Sequence, residues 1–319
     1  MSHPRSSRLP RRPRISRLLA PLVALLMVLL AACGAPDSQS SSPATGDGAQ
    51  PLRISSIPDQ DQDKLAARDT AMARYLQSTL GVPVEYVPVS DYAASVTLFR
   101  SGDLDLVFYG GLTGVQARLQ TPGAALIAQR DIDDDFRSVF VATRASGIEP
   151  FDDVAGLSAL KGRRVTLGPQ SSTSGRLMPE YFLRQAGVST QDFAGEVGFS
   201  ASHDATLSLV EAGSYEVGAL NSQVWKARLA AGTVDQSAVQ VVWTTPPYHD
   251  YHWVAGPGLD ERYGAGFTQR ITDAMLGLST DVPEQASLLK QYGAGSFIRT
   301  DAANYTQIEQ IARELGLLS

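Results

Sequence analysis

The sequence predicts an α/β fold in which two lobes enclose a ligand cleft. Strand and helix patterns alternate from Leu52 onward, and after an interruption the same alternation resumes near residue 164. Two segments, 136–144 and 239–255, join the two blocks, which indicates that the chain crosses twice between lobes. Because ligands of open α/β sheets bind beyond the carboxyl ends of the strands, two such sheets facing each other predict a cleft that closes by hinge motion.

In the first block, the spacing of the apolar residues and the residues that end secondary structure predict the elements. Leu65, Met72 and Leu76 recur at helical spacing, and Gly81 is expected to end that helix. The predicted elements are a strand at 52–57, a helix at 64–80, a strand at 84–89, a helix opened by Ser90, a strand at 104–109 and a helix through Val115 and Leu119.

The second block repeats the pattern. Its predicted elements are a strand at 164–168, a helix ending at Gln185, a strand near Val197, a helix at 203–211, a strand at 216–220, a helix around 224–229 and a strand at 239–244, with mainly helices from residue 261. Such alternation is typical of largely parallel sheets. We expect residues 52–140 and 250–319 to form lobe 1, and residues 141–249 to form lobe 2.

The N-terminal region predicts export. Residues 1–32 are basic and then apolar, and the uncharged stretch 18–32 has the length of a signal-peptide core rather than a membrane span. Small residues before Cys33 resemble a bacterial lipobox, so Cys33 is the predicted lipidation site, although a buried thiol is the alternative. Residues 33–51 are rich in Ser, Gly and Pro and predict a flexible tether. The expected location is extracytoplasmic and lipid-anchored, in a periplasm or on the outer face of the plasma membrane.

Charge and cysteine content exclude several classes of protein. The chain has 27 basic and 33 acidic residues, and six of the basic residues lie within residues 1–32, where there is no acid. The acidic body that follows has no electrostatic reason to bind nucleic acid or an anionic membrane. With one cysteine, an internal disulfide and a cysteine-based metal cluster are both excluded.

The loop at 168–175, GPQSSTSG, lies between a predicted strand and a predicted helix. Ser172, Thr173 and Ser174 supply hydroxyl donors, and free backbone N–H groups at a helix start add further donors. We predict that this loop is a neutral cradle for a tetrahedral oxyanion. The alternative is an ordinary helix cap, which needs one hydroxyl rather than several. Pro179 indicates that the regular helix begins nearer Arg176.

Other predicted ligand-binding residues lie at the ends of strands. Tyr109 and Gly110 end the strand at 104–109, where glycine allows the backbone to approach a ligand closely. Tyr92, His203 and Asn221 each follow a predicted strand and offer a hydroxyl, an imidazole N–H or an amide. Two of them have an ordinary structural alternative: Tyr92 could occupy a core position, and His203 could cap its own helix.

The sequence gives less support to an enzymatic function than to ligand binding. His249 and His252 point to opposite faces of a strand and give no third ligand, which disfavours zinc. The sequence has neither a Gly-x-Ser-x-Gly elbow nor a Gly-Lys-Ser/Thr motif after the serine-rich loop, which disfavours a serine hydrolase and a nucleotidase. We therefore predict a binding protein with no catalytic residues, metal or cofactor.

Several segments together resemble a known family. LRISSIPD, VPVSDYAASVTLFRSGDLDLVFYGGLTGVQARL, and SSTSG followed by SHDATL resemble the phosphate/phosphite/phosphonate solute-binding proteins of ABC transporters, over about residues 52–255. The resemblance implies a type II periplasmic-binding-protein fold with the ligand between the lobes. It also implies a monomeric receptor that delivers an oxyanion to a membrane permease and its ATPase.

The resemblance also suggests a ligand. DYAASV, YGGLTGVQAR and TPPYHDYHWVA are most similar to a subgroup of selenate-transporter binding proteins. It implies that Ser172, Thr173 and Ser174 hold the oxyanion, with Tyr92, Tyr109 and His203 as further contacts. Asn221 stands where phosphonate-binding members tend to carry aspartate, and an amide favours an unprotonated dianion because a carboxylate would repel it. The alternatives are a phosphonate or phosphite receptor, and a ligand-sensing partner of a signalling membrane protein.

Overall fold

Residues 50–318, which the computed structural model describes, form two β-sheets flanked by helices. The strands are β1 Leu52–Ser56, β2 Val84–Tyr86, β3 Leu106–Tyr109, β4 Ala125–Arg130, β5 Ser138–Thr143, β6 Val165–Leu167, β7 Gly198–Phe199, β8 Val217–Asn221, β9 Val239–Thr244, β10 His252–Ala255 and β11 Phe297–Ile298. The helices are α1 Gln62–Leu80, α2 Tyr92–Ser101, α3 Gly111–Gln120, α4 Met178–Gln185, α5 His203–Glu211, α6 Ser222–Ala230, α7 Leu259–Tyr263, α8 Phe267–Leu276, α9 Pro283–Gln291 and α10 Thr306–Glu314.

Each sheet forms the centre of one lobe. The first lobe has the strand order β11-β4-β10-β3-β1-β2, and the second lobe has the order β7-β6-β8-β5-β9. The chain passes between them at residues 131–137 and again at 245–251. Phe136 and Tyr248 exchange backbone hydrogen bonds of 3.0 and 2.9 Å, so the two crossing segments are bonded to each other. The α/β two-lobe prediction is confirmed.

Both sheets are mixed, whereas the alternating pattern predicts largely parallel ones. In the first sheet β1 pairs in parallel with β2 and β3, but β10 runs antiparallel to β3 and β4. In the second sheet β6 is parallel to β7 and β8, but β5 runs antiparallel to β8 and β9. The antiparallel strands β5 and β10 are those that the chain enters directly after a crossing. They have no crossover helix before them, so nothing requires them to be parallel.

Local sequence features mark where individual helices begin and end. Gly81 ends α1 in a left-handed conformation with φ of 71°, as its position predicts. The regular helix after the serine-rich loop begins at Met178 rather than near Arg176, because residues Thr173–Leu177 form a π-helical turn. In that turn the N–H of Leu177 donates to the carbonyl of Ser172 at 3.0 Å. π-Helical turns are rare and frequent at functional sites.

The described residues contain no helix with the length and apolar character needed to span a bilayer. The predicted signal peptide, Cys33 and nearly all of the tether lie outside the described residues, so those expectations stay predictions.

Candidate functional site

The serine-rich loop closes on itself beside the second sheet. The N–H of Gly168 donates to the carbonyl of Gly175 at 2.7 Å, and the N–H of Gly175 donates to Oγ of Ser172 at 2.9 Å. Gly168 is required here because a Cβ at this position would lie 2.7 Å from Cα of Gly175. Ser172, Thr173 and Ser174 are each at most 3% exposed, so the loop faces the first lobe rather than solvent.

Thr173 links the two lobes directly. Its Oγ1 accepts a hydrogen bond of 2.9 Å from the N–H of Leu112, at the start of α3 in the first lobe. Gly110 lies beside this contact, where a Cβ would be 3.3 Å from Oγ1 of Thr173 and 3.2 Å from Oδ1 of Asp250. Gly110 is therefore approached closely by Thr173 of the second lobe and by Asp250, and its contact with a ligand stays a prediction.

His203 is a neutral donor at the same place. The N–H of Asn221 donates to its Nδ1 at 3.3 Å, so the ring proton resides on Nε2, which lies 3.5 Å from Oγ of Ser172. Full burial lowers the pKa of His203 to about 4, which keeps the ring uncharged at neutral pH. The backbone N–H of His203 also donates across the cleft to the carbonyl of Asp59 at 2.9 Å.

Asn221 has a different role from the one predicted. Its Oδ1 caps α6 by accepting from the N–H groups of Gln223 at 2.7 Å and Val224 at 3.3 Å. Its Nδ2 donates to the hydroxyl of Tyr251 at 3.1 Å. The helix cap occupies the amide oxygen and Tyr251 accepts one of the two Nδ2 hydrogens, so these contacts are structural, and a ligand contact through the second hydrogen stays a prediction.

The two predicted tyrosines also differ. Tyr109 is turned into the first lobe, where its hydroxyl donates to the carbonyl of Ser95 at 2.9 Å and its ring packs edge-on against Phe99. Its expected ligand contact is therefore wrong, because strand alternation directs this side chain away from the cleft. Tyr92 is 4% exposed, and its hydroxyl has no hydrogen-bond partner.

Two buried aspartates join this cluster, and neither is among the binding residues that the sequence predicts. Asp59 follows β1 and is 2% exposed; its Oδ2 accepts from the hydroxyl of Tyr251 at 2.8 Å. Asp250 lies on the second crossing and is 1% exposed; its Oδ1 accepts from the N–H of Gly111 at 2.8 Å. A carboxylate just beyond the end of β1 is a signal that the strand-end rule could have used for Asp59. Asp250 has no comparable local signal.

Unpaired polar atoms concentrate at this cluster. Of the buried side-chain polar atoms without a partner among residues 50–318, four belong here: Oδ1 of Asp59, the hydroxyl of Tyr92, Oγ of Ser174 and Oδ2 of Asp250. Burial is the largest cause of the raised pKa of the Tyr92 hydroxyl, and the charges of Asp59 and Asp250 raise this pKa further. The three groups therefore lie close together. Since buried polar groups are almost always hydrogen-bonded, this arrangement is typical of a site that binds a small polar ligand. It offers hydroxyl and N–H donors together with two carboxylate acceptors.

The burial of Asp250 can be tested by measuring how the stability of the protein depends on pH. Burial raises its pKa to about 7, against an ordinary value near 4, and the hydrogen bond from Gly111 opposes only part of that effect. The folded protein therefore holds a proton that the unfolded chain releases between about pH 4 and 7. Asp250 thus makes the unliganded protein less stable as the pH rises through this range.

We expect Asp250→Asn to remove that dependence. Its free energy of unfolding, relative to the unsubstituted protein, is expected to rise between pH 4 and pH 8 by on the order of a few kcal/mol. Urea denaturation at several pH values measures this difference, with the exposed Asp134→Asn on the other crossing as the control. His203 and His252, whose pKa values burial lowers to about 4 and about 3, act in the opposite direction but equally in both proteins. A constant difference across the range would contradict the raised pKa of Asp250.

His249 lies on the second crossing, and His252 begins β10. His252 is buried against the ring of Tyr305 at 3.9 Å between centroids, and its Nδ1 bonds the carbonyl of Asp250 at 3.1 Å. Among residues 50–318 no three histidine, cysteine or acidic side chains are arranged to hold a metal ion.

Comparisons with known proteins identify the family of the chain. The family model "ABC transporter, phosphonate, periplasmic substrate-binding protein" matches residues 54–305. The chain is 47% identical over 266 residues to a Prochlorococcus marinus (strain MIT 9301) protein named "Probable ABC transporter phosphite binding protein PhnD1"; the match covers 83% of this chain and 90% of that protein.

Solved structures are similar over the same region. PhnD1 from Prochlorococcus marinus in complex with methylphosphonate superposes with a TM-score of 0.83 at 46% identity, covering 84% of this chain and 99% of that one. A binding protein component of an ABC phosphonate transporter from Pseudomonas aeruginosa gives a TM-score of 0.71 at 20% identity, covering 82% and 85% of the two chains. At that identity the second likeness shows the fold alone.

Proposed function

The chain belongs to the family of periplasmic substrate-binding proteins of phosphonate ABC transporters, and from this premise we propose that it binds phosphite or a small alkylphosphonate between its lobes for import. The ligand is held in a protonated form. This proposal replaces the selenate preference that the sequence suggested and agrees with the alternative given there.

The proposal depends on one observation, the two buried carboxylates that each direct an unpaired oxygen into the donor-rich cluster. Phosphite and alkylphosphonates keep an acidic proton near neutral pH, and that proton can be donated to Asp59 or Asp250. Their remaining oxygens can accept from Ser172, Ser174, Tyr92 and Nε2 of His203. Donors and acceptors on the protein then match those of the ligand.

Selenate and sulfate fit less well. Both are dianions without a proton to donate, so each would place negative charge next to two carboxylates in a site that excludes water. Like charges repel strongly at low dielectric, and Oδ1 of Asp59 and Oδ2 of Asp250 would also remain without hydrogen bonds. The raised pKa of Asp250 lessens this repulsion only while that group is protonated.

Closure follows from the same contacts. Asp59 comes from the first lobe and the Ser172–Ser174 loop from the second, so an anion that bonds both favours the closed arrangement over an open one. Direct bonds between the lobes, from Leu112 to Thr173 and from His203 to Asp59, support that arrangement. A closed receptor of this kind passes its ligand to a membrane permease and its ATPase.

Calorimetric titration of the purified protein with phosphite, methylphosphonate, phosphate, selenate and sulfate tests the proposal. We expect phosphite or methylphosphonate to bind at least about a hundredfold more tightly than selenate and sulfate, since a mispaired buried charge costs several kcal/mol. Selenate binding as tight as that of either phosphorus ligand would overturn it.

A further inference from the structure

A second feature of the cleft is a cavity of about 340 Å³ beside the cluster of unpaired groups. Three of its lining residues, Asp59, Asn221 and Tyr251, are also part of that cluster's wall. Its other walls come from both lobes. The cavity and the proposed ligand site therefore share these three side chains.

The charged residues around this cavity are mostly basic. Arg68 and Arg130 lie in its wall, but each is neutralised by a buried aspartate, at 2.8 Å from Asp69 and 2.6 Å from Asp133 respectively. Lys226 of the second lobe and Lys290 of the first lobe also line it, and neither forms an ion pair within residues 50–318. The chain has only four lysines, and two of them line this one cavity in an otherwise acidic body.

Another cavity between residues of the two lobes has the other sign of charge. It has a volume of about 280 Å³ and is lined by residues 90–93, 169–171 and 200–201, and its one charged residue is Asp91. An approaching anion is attracted to the lysine side and repelled from the Asp91 side. Charged cleft walls of this kind raise the rate at which a charged ligand arrives.

A hydrogen-bonded chain separates the lysine-lined cavity from the cluster. Nδ2 of Asn221 donates to the hydroxyl of Tyr251 at 3.1 Å, and that hydroxyl donates to Oδ2 of Asp59 at 2.8 Å. The ring of Tyr251 is held between Phe108 and Phe136, at 5.4 and 5.3 Å between centroids. Because Asn221 belongs to the second lobe and Asp59 to the first, separation of the lobes breaks this chain.

We propose that the lysine-lined cavity is the route by which the anion reaches and leaves the enclosed site, and that Tyr251 is its gate. This inference rests on the proposed function and adds which side of the cleft the ligand uses. Lys226 and Lys290 attract the anion without touching it in the bound state. Tyr251 is a positioning residue that acts by linking Asn221 to Asp59.

Stopped-flow fluorescence with phosphite tests the route. We expect Lys226→Gln with Lys290→Gln to lower the association rate constant by roughly three- to tenfold at low ionic strength, with little change in the dissociation rate constant and no difference at high salt. The matched control replaces the other two lysines, Lys64→Gln with Lys161→Gln, and is expected to leave both rate constants within about twofold.

Tyr251→Phe tests the gate, since it keeps the ring and removes both hydrogen bonds. We expect the dissociation rate constant to rise by about tenfold or more, as two lost hydrogen bonds imply, and a thermal melt establishes that the variant is folded. If it is unfolded, Asn221→Ser, which keeps a capping oxygen but loses the donor to Tyr251, replaces it, and the loss of this one hydrogen bond is expected to raise the dissociation rate constant by about two- to tenfold.

The results of these experiments distinguish a failure of the proposed function from a failure of the proposed route. If the unsubstituted protein fails to bind phosphite and methylphosphonate, the proposed function fails. If it binds but the Lys226/Lys290 variant behaves like the Lys64/Lys161 control, or Asp91→Asn alone accelerates association, the anion does not use the lysine side and the inference is wrong. An unchanged dissociation rate constant in the folded gate variant removes Tyr251 from the route.

Discussion

We expect Asp59→Asn to bind phosphite about ten- to a hundredfold more weakly than the unsubstituted protein, because a hydrogen bond to a charged group contributes about 1.5 to 3 kcal/mol. The asparagine oxygen can still accept from Tyr251, as Oδ2 of Asp59 does. The other end of the side chain, however, changes from an acceptor of the ligand's proton into an N–H donor. Sulfate and selenate affinity is therefore expected to rise while phosphite affinity falls.

The measurement is the ratio of phosphite to sulfate affinity, by calorimetric titration, in Asp59→Asn, in Asp250→Asn and in the unsubstituted protein. Asp61→Asn is a matched control, because Asp61 is exposed and caps α1, a role that asparagine also fills. An unchanged ratio in both buried variants would mean that neither carboxylate holds the ligand's proton. The account of ligand choice given above would then be wrong.

The second large effect is expected from Gly168→Ala. The added methyl group would lie 2.7 Å from Cα of Gly175, a backbone atom that cannot move without opening the serine-rich loop. Overpacking of this kind costs about 1 to 3 kcal/mol, and relief by loop opening displaces the hydroxyl of Ser172 and its neighbours. We expect phosphite affinity to fall by about ten- to a hundredfold.

Gly256→Ala provides the matched control, since a Cβ there has its nearest neighbour at 3.6 Å, an ordinary contact. Its phosphite affinity is expected to stay within about twofold of the unsubstituted value. Thermal melts of both variants accompany the titrations. A Gly168→Ala protein that melts earlier but binds phosphite normally would show that the loop supports the fold and does not hold the anion.

The candidate site was predictable where a local pattern carries the information. The run of hydroxyls between a strand and a helix identifies Ser172, Thr173 and Ser174, and the following π-helical turn keeps them buried at the cleft. His203 follows β7 in the same way, and its imidazole lies beside that loop. These residues depend on their neighbours in sequence for their position, and short-range rules are adequate for them.

The errors occur where partners are distant in sequence. Tyr109 ends a strand as expected, but the carbonyl of Ser95 rather than the cleft receives its hydroxyl. Asn221 has the predicted position, yet a helix cap and Tyr251 occupy its amide. The selenate preference rested on a subgroup resemblance and on Asn221, and the comparisons do not support it; they favour the phosphonate or phosphite alternative.

The sequence by itself determined the alternation of strands and helices, the two-lobe α/β class and the position of the serine-rich loop between a strand and a helix, because hydrophobic period, glycine breaks and clustered hydroxyls act over a few residues. Only the tertiary structure determined that the candidate site contains negatively charged side chains. Asp59 and Tyr251 are separated by 192 positions yet share a hydrogen bond, and Asp250 reaches the cluster through a crossing segment with no local signal. Which charges meet in a buried cleft depends on how the lobes close on each other, and no pattern within one segment records that contact.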